Sequence, residues 1–246
     1  KSLMEERIEH IRKRPGMYIG RLGHGANEQD GIYNLLKIIF YSLINQFREG
    51  VSDEITVDVL DDKKVRISYP PTDIRYIEIV QALSSSFDIA DVGGRTILSF
   101  TPDEAIFDYY QYKEHIVFHL LRSYCHANKG LVIIYDGIKM TTHNGMLDLM
   151  KERMSYENGY CYPIIHFKGN NIEVAFTHKT SDIEDYHFFV NGVKIVGGTH
   201  LTAFKSAFAR IISDFYADQD LMEEDILKGI SAAISIDITE PLYEQA

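Results

Sequence analysis

Between Ile32 and Phe47 apolar side chains recur at intervals of three and four: Ile32, Leu35, Leu36, Ile39, Phe40, Leu43, Ile44, Phe47. Just past Gly50 the period changes to two, over Glu54–Leu60 and Lys64–Tyr69, with Asp61-Asp62-Lys63 between them. The first pattern is one face of an α-helix stopped by Gly50; the second is a β-hairpin. A long apolar helix face and a half-buried hairpin each need a partner surface, so purely helical and purely β architectures are ruled out from the start.

The rest of the chain keeps this mixture. Leu3–Arg14 reads as a short charged surface helix ended by Pro15-Gly16, and Gly20, Gly23 and Gly25 mark a loop. Helices are expected over Tyr76–Leu83, Tyr112–Tyr124, Asn144–Met154 (Asn144 as N-cap) and Thr202–Tyr216. Strands are expected over Thr96–Phe100, Gly130–Tyr135, Ile164–Lys168, Asn171–His178, Tyr186–Val190 and Ser231–Ile238. The pattern breaks softly at Tyr156–Tyr160, around Glu157-Asn158-Gly159. Without strict βαβ alternation the class is α+β, or a layered α/β sandwich, in two domains, 1–158 and 159–246. No internal repeat or low-complexity tract is visible.

With 25 Lys+Arg against 36 Asp+Glu, the net charge of −11 speaks against a chain that wraps nucleic acid by bulk charge. The dense basic run Arg12-Lys13-Arg14, with Arg7, is read either as a solvated helix end or as a local DNA contact. Any DNA binding is expected to be indirect or weak. Cys125 and Cys161 are two cysteines without CxxC spacing, which fits thiols in a reducing compartment. No apolar run reaches the roughly 18–20 residues of a membrane span, and the charged N-terminus has no secretory apolar core. A cytoplasmic location with no membrane partner is expected.

Three glycine-containing sites invite a phosphate reading. Gly20-Arg21-Leu22-Gly23-His24-Gly25 lacks the Lys-Ser/Thr of a P-loop and reads better as a turn. Gly93-Gly94 precedes a strand, so no helix N-terminus awaits an anion there. Gly197-Gly198 precedes a helix and suits either an anion or close backbone packing. His115 and His119 share one helix face, but no His-Glu-x-x-His links them, so they read as ordinary histidines and no metal site is expected. No catalytic triad stands out.

The stretch Arg7-Ile-Glu-His-Ile-Arg-Lys-Arg-Pro-Gly-Met-Tyr-Ile-Gly20 resembles a signature of type IIA DNA topoisomerase B subunits, the ATPase subunits of gyrase and topoisomerase IV. Further blocks resemble the same family in order: Thr96–Phe107, Asn144–Leu149, Phe189–Ala207 and Ile230–Tyr243. The details are most similar to topoisomerase IV. The resemblance implies a GHKL-type ATPase domain, an α/β sandwich, followed by a transducer domain with a ribosomal-protein-like fold. It also implies ATP and magnesium, held by a glutamate base and an asparagine one turn on, an aspartate for adenine with a Gly-x-Gly turn, and a glycine-rich lid.

The sequence departs from each of these. The family helix, aligned on Leu35-Leu36-Lys37, puts Ile38 at the glutamate and Ser42 at the asparagine; a shifted register brings Tyr41 and Asn45 there, still with no base. Tyr69 stands at the purine-reading aspartate, followed by Pro70-Pro71-Thr72-Asp73, and Val80–Ser84 follows so soon that the lid reads as deleted. Thr96 matches a retained family threonine near the adenine. Ser42, Tyr69 and Thr96 are thus the nucleotide-site positions, with no catalytic residue and no cofactor expected. Glu240–Ala246 closes the sequence before the family's γ-phosphate lysine, and the dimer-clasping arm is short or missing before Lys1. The expectation is a non-hydrolysing pseudo-ATPase acting through a topoisomerase subunit or a second copy. The alternative is a fragment of a working ATP-dependent enzyme that supports DNA strand passage.

Overall fold

The computed structural model describes residues 3–51 and 54–239. The chain divides into two compact units, the first running to Thr141 and the second starting at Thr142. The first contains α1 (Leu3–Lys13), α2 (Gly16–Ile19), α3 (Gly31–Arg48), β1 (Glu54–Leu60), β2 (Lys64–Tyr69), α4 (Ile77–Ala82), β3 (Ser84–Val92), β4 (Arg95–Pro102), α5 (Glu104–Phe107), α6 (Glu114–Ala127), β5 (Val132–Tyr135) and β6 (Ile138–Met140). Its strands form one sheet in the order β3-β4-β2-β1-β5-β6, antiparallel throughout except for the parallel pair β1–β5.

Alternation fixes the sheet's inner face: Val57, Val65, Ile67, Leu98, Phe100 and Ile133 are each fully buried. The apolar stripe of α3 is buried from Ile32 to Ile44, and Phe40 stacks on Tyr124 of α6 with ring centroids 4.9 Å apart. Tyr33, Tyr112, Tyr110 and Phe107 follow edge to face. Burying these phenols requires partners: Tyr33 Oη donates to Gly25 O at 2.8 Å, Tyr112 Oη to Ile32 O at 3.1 Å and Tyr110 Oη to Pro102 O at 2.9 Å. The basic helix α1 is tied down by its cations. Arg12 donates to Ala82 O at 2.7 Å and pairs with Asp103 at 2.6 Å, and Arg7 pairs with Glu78, while Lys13 and Glu9 pair within α1 itself. The hydrogen bond from Arg12, joined by the Ala105 N–H, holds the Asp103 carboxyl below its usual range.

The second unit contains α7 (Met146–Tyr156), β7 (Ile165–Lys168), β8 (Ile172–His178), β9 (Asp185–Val190), β10 (Val193–Ile195), α8 (Thr199–Phe215), α9 (Glu223–Leu227) and β11 (Ile230–Ile236). The sheet order is β10-β9-β11-β8-β7, with β11 parallel to β9 and antiparallel to β8. Ile230, Ala232 and Ile234 of β11 cluster with Phe204 and Phe208 of α8. The opposite face carries the small residues Ser231 and Ala233, where α7 packs. A central strand covered on both faces reads as a continuous buried run, as Ile230–Ile234 does.

Several sequence-based expectations need correction. The second compact unit includes α7, which packs on β8 and β11. Asn144 is not an N-cap: Gly145 takes that place with φ 52°, while Asp148 reaches back to accept from the N–H groups of His143 and Asn144 at 3.2 and 2.9 Å. Helix α8 starts at Thr199, three residues before the expected Thr202, because Thr202 N already donates to Gly198 O. Strand β3 has no counterpart among the expected strands. Gly93 and Gly94, with φ 61° and 78°, make the two-residue turn that joins it to β4, a geometry in which residues with a Cβ are strained. The closing residues Glu240–Ala246 and the position before Lys1 lie outside the described residues.

Candidate functional site

Ser42, Tyr69 and Thr96, the positions that the family resemblance assigns to a nucleotide site, lie in the first unit. Tyr69 is the last residue of β2 and sits directly opposite Thr96 of β4 in the antiparallel ladder. Tyr69 is 1% exposed and Thr96 6%. Burial, with the nearby charge of Asp91, pushes the Tyr69 phenol up to about 12, so it is neutral across the physiological range. Thr96 Oγ1 donates to Asp91 at 2.7 Å. Beside them Arg95 binds Ser68 Oγ, Ser68 O and Glu54 O at 2.8–2.9 Å, tying β4 to the start of β1.

Ser42 is 9% exposed on α3, and its Oγ accepts from the Arg75 N–H at 2.9 Å. One turn earlier, Ile38 presents a half-buried aliphatic side chain. Only Pro70 to Tyr76 joins β2 to α4, and Gln46 Nε2 donates to Pro71 O at 3.3 Å. A cavity lined by Leu43, Gln46, Phe47, Ile55 and Pro70, among others, measures about 10 Å³, room for one water at most. Thus Tyr69 and Thr96 meet across one ladder, while Ser42 engages the short connection that follows Tyr69. The polar atoms of Ser42 and Thr96 are committed to protein partners.

The glycine loop is organised from within. Asp30, fully buried at the N-cap position of α3, accepts from Gly25 N at 2.9 Å and Asn27 N at 3.2 Å, and Arg21 Nε lies 3.2 Å from its other oxygen. A Cβ on Gly23 would fall 2.1 Å from the Asp30 carboxyl, and one on Gly25 would fall 2.0 Å from Gln111 O. These glycines allow close approach, and two amides that an anion would need already face a carboxylate. By contrast, nothing lies within 4 Å of a Cβ on Gly197 or Gly198, whose φ values of 77° and 97° are the reason glycine stands there. His115 and His119 are exposed on α6, and among the described residues no group of three or more His, Cys, Asp or Glu could hold a metal ion. No described helix is long and apolar enough to cross a membrane.

The second unit holds an ionic network that sequence reasoning missed. Arg153 pairs with Glu157 and with Asp185 at 2.7 Å; Lys179 pairs with Glu157 at 2.7 Å and Asp185 at 3.4 Å; His187 Nε2 lies 3.5 Å from Asp185. Burial pushes the Asp185 carboxyl up, but His187, Arg153 and Lys179 outweigh it and hold it well below the carboxylate range. Burial also drives the His187 imidazole below its ordinary range, against the pull of Asp185. Met146 N donates to Glu173 at 3.1 Å, and His166 approaches the same oxygen. Together these contacts fasten α7 to its sheet. Four elements contribute to them, so no local spacing could have announced the set.

Comparison with known proteins follows the same lines. A family profile described as DNA gyrase B matches residues 136–245. The B subunit of DNA topoisomerase 4 from Borreliella burgdorferi is 30% identical over 294 aligned positions, covering 96% of this chain and 49% of that protein. The B subunit of DNA gyrase from Thermotoga maritima is 24% identical, covering 96% and 51%. The chain therefore spans about half the length of the curated relatives it matches. An alignment longer than this chain of 246 residues also means that the relative carries segments absent here. Among solved structures, the ATPase region of Saccharomyces cerevisiae topoisomerase II superimposes with TM-score 0.74 at 15% identity, over 94% of this chain and 84% of that one. The DNA gyrase B subunit from Myxococcus xanthus gives 0.72 at 16%, over 94% and 83%. At such identities the structural likeness speaks for the fold, a GHKL ATPase-type arrangement of two mixed sheets with helices.

Proposed function

The chain belongs to the type IIA DNA topoisomerase B-subunit family, and from that premise we propose that it is a non-hydrolysing pseudo-ATPase that keeps the fold in order to act through a partner. We assign residues 1–158 to the ATPase-like part and 159–246 to the transducer-like part, with Ser42, Tyr69 and Thr96 as the remnant of the nucleotide site.

One observation carries the reading: the buried ring of Tyr69 stands where the family resemblance calls for a purine-reading carboxylate. An aromatic ring at 1% exposure fills space instead of presenting an acceptor to an adenine amine. Moving it out would cost about 1.5–3 kcal/mol of apolar burial before any ligand contact formed. The neighbouring positions agree. Ile38 has no atom able to take a proton from water, and the loss of a general base alone removes roughly 10²–10⁴-fold in rate. Ser42 offers a hydroxyl already engaged by the Arg75 N–H, in place of a carbonyl oxygen for magnesium. The Pro70–Tyr76 connection is too short for a lid closing over phosphates. The residues present thus do not fit magnesium–ATP.

The partner would be a topoisomerase subunit or a second copy of the chain, in the cytoplasm, with DNA engaged indirectly. Phosphate release from millimolar magnesium–ATP tests the reading. The expected result is no turnover above buffer, in the chain alone and in an Ile38→Glu variant. Saturable turnover by the unmodified chain would overturn it in favour of an ATP-dependent topoisomerase fragment.

A further inference from the structure

A sheet edge presents a row of unpaired N–H and C=O groups that another strand can use, and chains blunt it with short edge strands or with lysine. Among the described residues, three of the four sheet edges follow that rule. Strands β6, β7 and β10 are three or four residues long, and each carries a lysine: Lys139, Lys168 and Lys194. The fourth edge does not. Strand β3 runs for nine residues, the longest strand described, and contains no Lys, Arg or Pro. Every residue from Ser85 to Val92 except Phe87 is exposed, and no described strand pairs with its outer side. The one irregularity in its ladder lies at the far end, between Ser84 and Ser86. The turn fixes which groups face outward. Val92 stands opposite Arg95 across the two-residue Gly93-Gly94 turn, so those two exchange hydrogen bonds and the pattern alternates from there. Ala90 and Asp88 likewise spend their backbone groups on β4, while those of Asp91, Ile89 and Phe87 point off the sheet. Phe87 and Ile89 stand opposite the fully buried Phe100 and Leu98, so their side chains carry the apolar face out to the edge.

We propose that β3 pairs with β3 of a second copy of the chain, antiparallel about a two-fold axis at Ile89, joining the two sheets edge to edge. The sequence of the strand is complementary to itself in that register. Ile89 meets the partner's Ile89, Phe87 meets the partner's Asp91, and Asp88 meets the partner's Ala90, so no like charges stand directly opposite. The outward groups of Phe87, Ile89 and Asp91 then form about six backbone hydrogen bonds. Neighbouring registers are worse. An axis at Asp88 sets aspartate against aspartate, and an axis at Ala90 runs Phe87 past the partner strand onto its Gly93 turn. The inference takes from the proposed function only a second copy as partner, and nucleotide plays no part in it.

The test is sedimentation velocity of the full chain from about 5 to about 500 μM, in about 0.3 M salt to screen the net charge of −11. The expected result is a reversible monomer–dimer equilibrium, weak because one strand pair makes a small interface. Ile89→Lys and Ile89→Glu, at a position 46% exposed, each set like charges face to face on the axis and should each weaken the dimer by about tenfold or more. Mixing the two variants should restore the dimer, which also shows that both chains are folded. Ile89→Lys brings the chain nearer to neutral, so association through bulk surface would hold or tighten in that variant. Association that neither variant weakens would overturn the proposal. So would a mixture no tighter than the variants alone, or a monomer throughout the range. A monomer leaves the phosphate-release result untouched, and ATP turnover leaves the sedimentation result untouched, so the two readings fail separately.

Discussion

Replacing Asp30 by alanine should strongly destabilise the first unit. The carboxylate is fully buried and accepts from Gly25 N at 2.9 Å and Asn27 N at 3.2 Å. Removing it strands two donors, each costing about 1–3 kcal/mol, with Asn27 at the lower end because its site is only part-buried. A negative charge at the start of α3 adds about 0.3–1 kcal/mol. The ion pair with Arg21 adds little, since the Arg21 side chain is 68% exposed. The sum is about 2–5 kcal/mol, a large share of the 5–15 kcal/mol typical of a domain. Asp30→Asn keeps an oxygen for the two amides and should cost only about 1–2 kcal/mol. Urea titration followed by far-UV circular dichroism, with amide exchange at Gly25 and Asn27 as the local readout, measures both variants. An alanine variant within about 1 kcal/mol of the unmodified chain would refute the reasoning. So would recovery of that variant by phosphate, which would mean that the loop amides form an anion cradle after all.

Other substitutions follow from the same structure. Gly25→Ala should cost about 2–5 kcal/mol in urea titration, from a Cβ 2.0 Å from Gln111 O at a φ of +91°, whereas Gly20→Ala, with open space around it but a φ of +64°, should cost only its backbone strain of about 1–3 kcal/mol. Arg153→Ala should loosen α7 by about 1–3 kcal/mol, seen as faster amide exchange over Met146–Tyr156, because Asp185 and Glu157 lose a shared cation. The second unit should lose stability on acidification in two stages. The unfolded chain takes up a proton at His187 below about pH 6.5 that the folded state resists, and at Asp185 and Glu157 below about pH 4. Melting curves from about pH 7.5 down to about pH 2 should show both stages, and His187→Gln should flatten the first.

What could be read ahead of the structure was whatever a single period encodes. The α3 stripe and the β1–β2 hairpin were legible because each buries one face against a shared core, so burial and sequence period coincide. Strand β3 was not: it lies at the sheet edge with Ile89 46% and Val92 57% exposed, and a strand without a buried face need not alternate. Short pieces such as α2, β6, β10 and α9 carry too few residues to show any period. The network of Arg153, Glu157, Lys179, Asp185 and His187 is assembled from segments distant in sequence. Ile38, Ser42 and Tyr69 stand out only through family resemblance, since they are ordinary helix and strand residues when read alone. The glycine loop was legible as a turn, but its reason, the buried carboxylate of Asp30, needed the structure.

The most direct test of the pseudo-ATPase reading is calorimetric titration of the full chain with magnesium and a non-hydrolysable ATP analogue. The expected result is no heat of binding and no thermal shift up to millimolar nucleotide. Saturable binding would contradict it, because adenine would then have found a site despite the buried Tyr69 ring and the engaged hydroxyls of Ser42 and Thr96.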